Sequence, residues 1–142
     1  MKKDTDDLLH EIKTTVSIEN YLTENSDEHM NIDLAQYLNQ LLLEKNFERK
    51  QVYTKGNIAK SYGDHILNSR REKPSRNIVL QFCLGLELSI DESQRLLRIA
   101  RLGSLYARDK RDSVIMFCLQ NKKTAVECDL LLDELNQTIL TN

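Results

Sequence analysis

FERKQVYTKGNIAKSYGDHILNSRREKPSR, Phe47 to Arg76, combines a helical pattern, a tight turn and an excess of positive charge. Its spacing predicts a helix-turn-helix. Val52 and Tyr53 point inward from a short first helix, Gly56-Asn57 makes the turn, and Ile58, Tyr62, Ile66 and Leu67 form the buried edge of a second helix. Gly and Asn both tolerate the left-handed backbone that such a turn requires.

Across this region Lys45, Arg49, Lys50, Lys55, Lys60, Arg70, Arg71, Lys73 and Arg76 stand against only Glu48, Asp64 and Glu72. The remainder is acidic on balance, so the formal net charge of -2 conceals a polarised chain, one face of which suits phosphate.

The composition limits what this segment can be embedded in. A chain of 142 residues can bury one core, and one Pro, four Gly and 6% aromatic residues favour helices joined by short polar turns. The expected class is all-α. The expected layout is an acidic N-terminal helical extension over 1–32, a helix-turn-helix domain over 33–101, and a C-terminal helical pair over 102–142 that serves as a dimerisation element. No apolar run approaches the roughly 20 residues that cross a bilayer, and MKKDTDDLLHEIK lacks the apolar centre of a secretion signal. No membrane contact and a cytoplasmic location are therefore expected. Cys83, Cys118 and Cys128 lie far apart among apolar residues, as buried free thiols do, and do not form the close pairs of a zinc site.

Taken in order, Leu8, Leu9, Ile12 and Val16 share one face of an acidic amphipathic helix. A second short helix, capped by Ser17 and carrying Ile18, Tyr21 and Leu22, precedes the polar break ENSDEHMN. Asp33 with Gln36 reads as the capping box of a helix whose stripe is Leu34, Tyr37, Leu38, Leu41 and Leu42. After Pro74, Ile78, Val79, Phe82, Cys83 and Leu86 face inward. Ser89 with Glu92 opens a helix carrying Leu96, Leu97 and Ile99. Gly103 marks a turn and Leu105-Tyr106 an anchor. Asp109 caps a helix with Val114, Ile115, Phe117, Cys118 and Leu119, and Thr124 with Glu127 opens a last amphipathic helix burying Val126, Leu130, Leu131, Leu135, Ile139 and Leu140.

A helix before the turn, a basic helix pair, a loop ending in Pro74-Ser75 and two helices reaching Ala100 resemble the lambda-repressor-like, Cro-type helix-turn-helix domains of bacterial regulators. YLNQLLLEKN, the Tyr62–Asn68 string Y-x-x-x-I-L-N, PSRN at 74–77, LELSIDESQRLLRIA and LYARDKRDSVI are similar to strings shared along a family of small bacterial regulators. Two features depart from that pattern. No Gly stands near Ser69 or Arg70, and Gly63 takes the place of a branched apolar residue, so Tyr62 is expected to supply that packing. The resemblance implies that the second helix enters the major groove of double-stranded DNA. Lys60, Ser61, Asp64, His65 and Asn68 would then face base edges: Lys60 donating to guanine, Asp64 accepting from cytosine N4, Asn68 pairing bidentately with adenine. Lys50, Thr54, Lys55, Arg70, Arg71, Lys73 and Arg76 would contact phosphates, fixing register and supplying salt-dependent affinity.

A second basic set, Arg95, Arg98, Arg101, Arg108, Lys110 and Arg111, reads first as structural, with Arg111 and Asp112 pairing beside Tyr106 or holding the last helices. His10 and His29 have no partner spacing of a metal site, and no nucleophile, phosphate loop or His-carboxylate arrangement stands out, so neither cofactor nor enzymatic activity is expected. The function expected is a homodimeric, sequence-specific DNA-binding transcriptional regulator. The competing expectation is a protein-interaction adaptor or antitoxin-like module, which uses the helix pair as a scaffold and the acidic N-terminal helices to hold a partner. The same charge contrast allows the acidic helix to cover the basic face as an inhibitor.

Overall fold

The computed structural model describes residues 5–14, 33–69 and 72–141, and every regular element among them is an α-helix. The order is α1 Thr5–Thr14, α2 Leu34–Lys45, α3 Arg49–Gly56, α4 Lys60–Asn68, α5 Arg76–Gly85, α6 Ile90–Ile99, α7 Lys110–Gln120 and α8 Ala125–Glu134. The all-α class is therefore observed. The helix expected around Ser17, Ile18, Tyr21 and Leu22, and the break after it, lie outside the described residues, as do Arg70 and Arg71. The chain divides into two units, Met1–Asn31 and Ile32–Asn142. Within the first, α1 carries Asp6 and Asp7 in its first turn and leaves Leu9 and Ile12 about half exposed.

Helix starts follow the capping chemistry read from the sequence. Gln36 N donates to Asp33 Oδ1 at 2.8 Å while Asp33 N donates to Gln36 Oε1 at 3.2 Å. Ser89 with Glu92 and Thr124 with Glu127 close the same reciprocal box, and Asp109 Oδ1 accepts from Asp112 N. Helix ends follow a rule the sequence hid. Asn46, Asn57, Glu87, Arg101, Lys122 and Asn136 all take positive φ, and the residue after each donates to a carbonyl five positions back: Phe47 to Leu42, Ile58 to Tyr53, Leu88 to Cys83, Leu102 to Leu97, Lys123 to Cys118, Gln137 to Leu132. This six-to-one bond satisfies an orphan carbonyl and, at Phe47, Ile58, Leu88 and Leu102, turns an apolar side chain back onto the helix it leaves. No described glycine has positive φ.

α5 is the centre of the second unit. Its segment from Val79 to Leu86 is buried all round, with α3, α6, α7 and α8 packed on it. α3 comes so close that a Cβ on Gly56 would lie 2.6 Å from the Gln81 carbonyl oxygen, and one on Gly85 would lie 2.5 Å from that of Val52. Neither glycine serves as a hinge; both are there for proximity. Residues 102–142 share this core through Leu105, Val114, Ile115, Cys118, Ala125, Cys128, Leu132 and Leu140, so the C-terminal helices belong to the same unit as α2–α6.

Three apolar assignments are corrected. Tyr62 is 37% exposed, because α4 buries Gly63, Ile66 and Leu67 instead. Phe117 is 53% exposed on the outer side of α7. The last helix turns the other way from the expected stripe: Ala125, Cys128 and Leu132 face inward, Val126 and Leu130 face out, and Leu135, just past the helix, is exposed as well. The run Leu130-Leu131-Leu132 offers two apolar stripes, and the one with small neighbours fits against α7. The helix also stops at Glu134, not near Leu140. Asn136 reverses the chain, and Asp129 accepts from Leu140 N at 2.6 Å and from the backbone and hydroxyl of Thr141, returning Leu140 to the core.

Candidate nucleic-acid interface

α3 and α4 are joined by a turn at residues 57–59 that is fixed from beneath. Asn57 supplies the left-handed residue at φ 55°, and buried Gln81 donates through Nε2 to the carbonyls of Gly56 and Asn57, both at 3.1 Å. Two carbonyls left open by the end of α3 are thereby paired. Ala59 begins α4 without a capping side chain, so the first-turn N–H groups receive no side-chain acceptor from the residue before the helix.

The angle of α4 is set by a contact and a polar network. Gly63 lies flat against the Tyr53 ring, where a Cβ would come within 2.3 Å of Cε1. Tyr53 therefore supplies the packing expected of Tyr62. Its hydroxyl donates to Asp64 Oδ1 at 2.7 Å, Lys60 Nζ donates to Oδ2 at 2.9 Å, and Arg49 donates to Oδ1 at 3.2 Å. These donors, the tyrosine first and the lysine next, hold the Asp64 carboxyl down at about 2. Burial, and then the carboxylate itself, push the Tyr53 hydroxyl well above its ordinary value. The same guanidinium donates to Asn68 Oδ1 at 3.0 Å and to Asn39 Oδ1 at 3.4 Å, while Asn39 Nδ2 donates to the carbonyls of Ala35 and Leu67, each at 2.9 Å. Arg49 thus ties α2 and α3 to the middle and the C-terminal end of α4.

The residues expected at base edges divide into two groups. Lys60, Ser61, His65 and Asn68 are exposed on one side of α4, the Lys60 side chain at 84%. Asp64 is on the same helix but engaged by three donors. His65 Nε2 lies 2.8 Å from Glu72 Oε2, which links α4 to the following loop. Among the residues expected at phosphates, Lys50, Thr54 and Lys73 are exposed. Lys55 pairs with Glu87 at 3.4 Å. Arg76 is committed to the fold: two nitrogens grip Asp112 at 3.0 Å each, and the guanidinium also donates to the carbonyls of Gly103 and Ser104.

The second basic set also divides. Arg111 donates to the carbonyls of Thr138 and Ile139 and to Asn77 Oδ1 and so holds the last segment, one of the two readings expected, while Asp112 is taken by Arg76 and Tyr106 N. The Arg95 guanidinium sits 5.8 Å from the centroid of the Tyr37 ring. Arg98, Arg101, Arg108 and Lys110 are exposed. The three cysteines are buried free thiols, and burial pushes Cys83 up to about 12.

Sequence reasoning missed Arg49, Tyr53, Asn39 and Gln81 as the residues that aim α4. A signal was present. Gln81 stands inside the apolar run IVLQFCLGL and Asn39 inside a leucine stripe, and a polar side chain in such a place survives only with a specific hydrogen-bonding task. Compared with protein-family models, with curated proteins and with solved structures, the chain matches none.

Proposed function

We propose that the protein is a sequence-specific DNA-binding transcriptional regulator that works in the cytoplasm as a homodimer and places α4 in the major groove. The observation that carries the reading is the outward side of α4, where Lys60, Ser61, His65 and Asn68 are exposed while the helix behind them is immobilised by Gly63, Tyr53 and Arg49. A reader of base edges needs both exposed donors and a fixed helix, since a side chain that wanders discriminates poorly. Lys50, Thr54 and Lys73 flank the helix at positions suited to phosphates, and Arg70 and Arg71 are further phosphate contacts on this reading. Asp64 takes the part of an anchor and not of a cytosine reader. The dimer is assigned to the outer side of α7 and α8, where Phe117, Val126 and Leu130 are 53%, 49% and 63% exposed.

The same apolar residues favour a second reading, a protein-interaction adaptor in which α3 and α4 are a scaffold. Selection from a random duplex pool at two salt concentrations separates the two. An enriched motif with half-sites about ten base pairs apart supports the dimeric regulator. Binding that fades with salt and enriches no motif makes the basic side a mere electrostatic surface and transfers the proposal to protein partners.

A further inference from the structure

We propose that Arg49 selects the base read by Asn68: by holding the carboxamide oxygen, it turns Asn68 from an adenine reader into a donor to the acceptor edge of guanine. The inference rests on the DNA-reading assignment and deepens it at one residue.

The orientation of Asn68 is fixed by chemistry. A guanidinium has donors and no acceptor, so the carboxamide atom 3.0 Å from Arg49 is the oxygen, and the amide NH2 is directed away from it. Asn39 constrains Arg49 in the same way. Its Nδ2 is used by two backbone carbonyls on α2 and α4, which leaves its oxygen for the guanidinium. Asp64, held by Tyr53 and Lys60, receives the other side of the fork. With two asparagine oxygens and a carboxylate around it, Arg49 has little freedom to swing out toward a phosphate. Bidentate pairing with adenine needs a carboxamide that accepts from N6 and donates to N7. Asn68 keeps both donors, while Arg49 occupies one lone pair of its oxygen and turns that oxygen toward α3 and away from a base. Guanine presents N7 and O6, two acceptors, to the major groove and is the base edge that an outward-facing NH2 fits. Arg49 is a positioning residue here: it acts through Asn68 and touches no base.

The test is duplex selection with the full chain and its variants, each accompanied by thermal melting. Asn68→Ala identifies the operator position that Asn68 reads, as the position whose preference disappears. The wild-type chain is expected to prefer guanine over adenine there by about tenfold or more, and Arg49→Ala to bring adenine to parity or above. Arg49→Lys preserves the charge beside Asp64 and lacks the fork that reaches Asn68 as well; it is expected to shift the same ratio with less effect on melting. A purely structural Arg49 would lower the melting temperature and weaken every duplex alike. An unchanged guanine-to-adenine ratio in folded Arg49→Lys overturns the inference and leaves the DNA reading in place. A wild-type chain that enriches no motif overturns both.

Discussion

α3–α4 and α7–α8 are each two short helices joined by a tight turn with one left-handed non-glycine residue, Asn57 in the first and Lys122 in the second. Their inner sides solve the same problem with small residues. Gly63 meets Tyr53 in one, and Cys118 and Cys128 meet in the other, each thiol perturbed chiefly by its neighbour. Their outer sides differ. α4 shows solvent Lys60, Ser61, His65 and Asn68, with polar groups behind them bonded to one another, whereas α7–α8 shows Phe117, Val126 and Leu130. A polar surface costs nothing to leave wet and suits a hydrated, charged partner. An apolar one gains free energy, about 25 cal/mol per Å² buried, only when something covers it. The inward pattern that makes a helix pair therefore says little about its use; the outward side decides that.

The largest effect is expected at α5, the helix on which α3, α7 and α8 all pack. Arg76, at the start of α5, grips Asp112 at the start of α7, and the Asp112 side chain is only 9% exposed. Removing the guanidinium leaves a buried carboxylate with, among the described residues, the Tyr106 N–H as its one remaining donor from outside its own helix start, so Arg76→Ala is expected to lower stability in urea denaturation by about 3 kcal/mol. One cooperative transition should persist; a split into two would show that the helix pairs fold separately.

A smaller loss is expected inside α4. Gly63→Ala drives a methyl into the Tyr53 ring and should cost about 1–3 kcal/mol, and Tyr53→Leu in the same chain should recover part of it. Full tolerance of the alanine would mean that α4 is not seated on that ring. On the other pair, Phe117→Ser with Leu130→Ser should change monomer stability by no more than about 0.5 kcal/mol per site, since both side chains are largely in solvent. Sedimentation should nevertheless show a lower mass than for the wild-type chain; an unchanged mass would remove the dimer from this surface.

The least effect expected is on acid stability. Asp64 binds its proton less readily in the fold, at about 2, than an ordinary aspartate near 3.8, so protonation favours the unfolded chain. The stability this carboxylate contributes is complete above about pH 4 and is lost as pH falls toward 2. Asp64→Asn should flatten that part of the curve, leaving the shallower losses from Glu92 and Glu127, whose carboxyls are also held low. An unchanged acid slope would mean that the donors around Asp64 do not act on it.

Much of the fold was legible because capping and periodicity are local. Asp33, Ser89, Asp109 and Thr124 announced four helix starts, and Val52, Tyr53, Ile66 and Leu67 announced which sides of α3 and α4 are buried, while Ile58, expected on the second helix, is buried from the turn before it. What failed depended on distant neighbours. Tyr62 and Gly63 exchange roles only because the Tyr53 ring lies across Gly63, and Val126 and Leu130 turn outward because Ala125 and Cys128 fit against α7. Helix ends were obscured for another reason: Glu87, Arg101 and Lys122 occupy left-handed positions where glycine is the usual signal. In the candidate interface the exposed positions Lys60, Ser61, His65 and Asn68 came from the resemblance to helix-turn-helix domains, and their exposure agrees with it. The Arg49 network was not legible, since its members come from α2, α3 and α4 and meet only in the folded chain.

The central claim is that α4 occupies the major groove, and the direct measurement is dimethyl sulfate footprinting on the selected duplex. Guanine N7 lies in the major groove and adenine N3 in the minor groove. Protection of guanine N7 in two patches about ten base pairs apart, lost in Asn68→Ala with Lys60→Ala, is the predicted result. Protection confined to adenine N3, or N7 protection that survives in the double variant, would contradict the account.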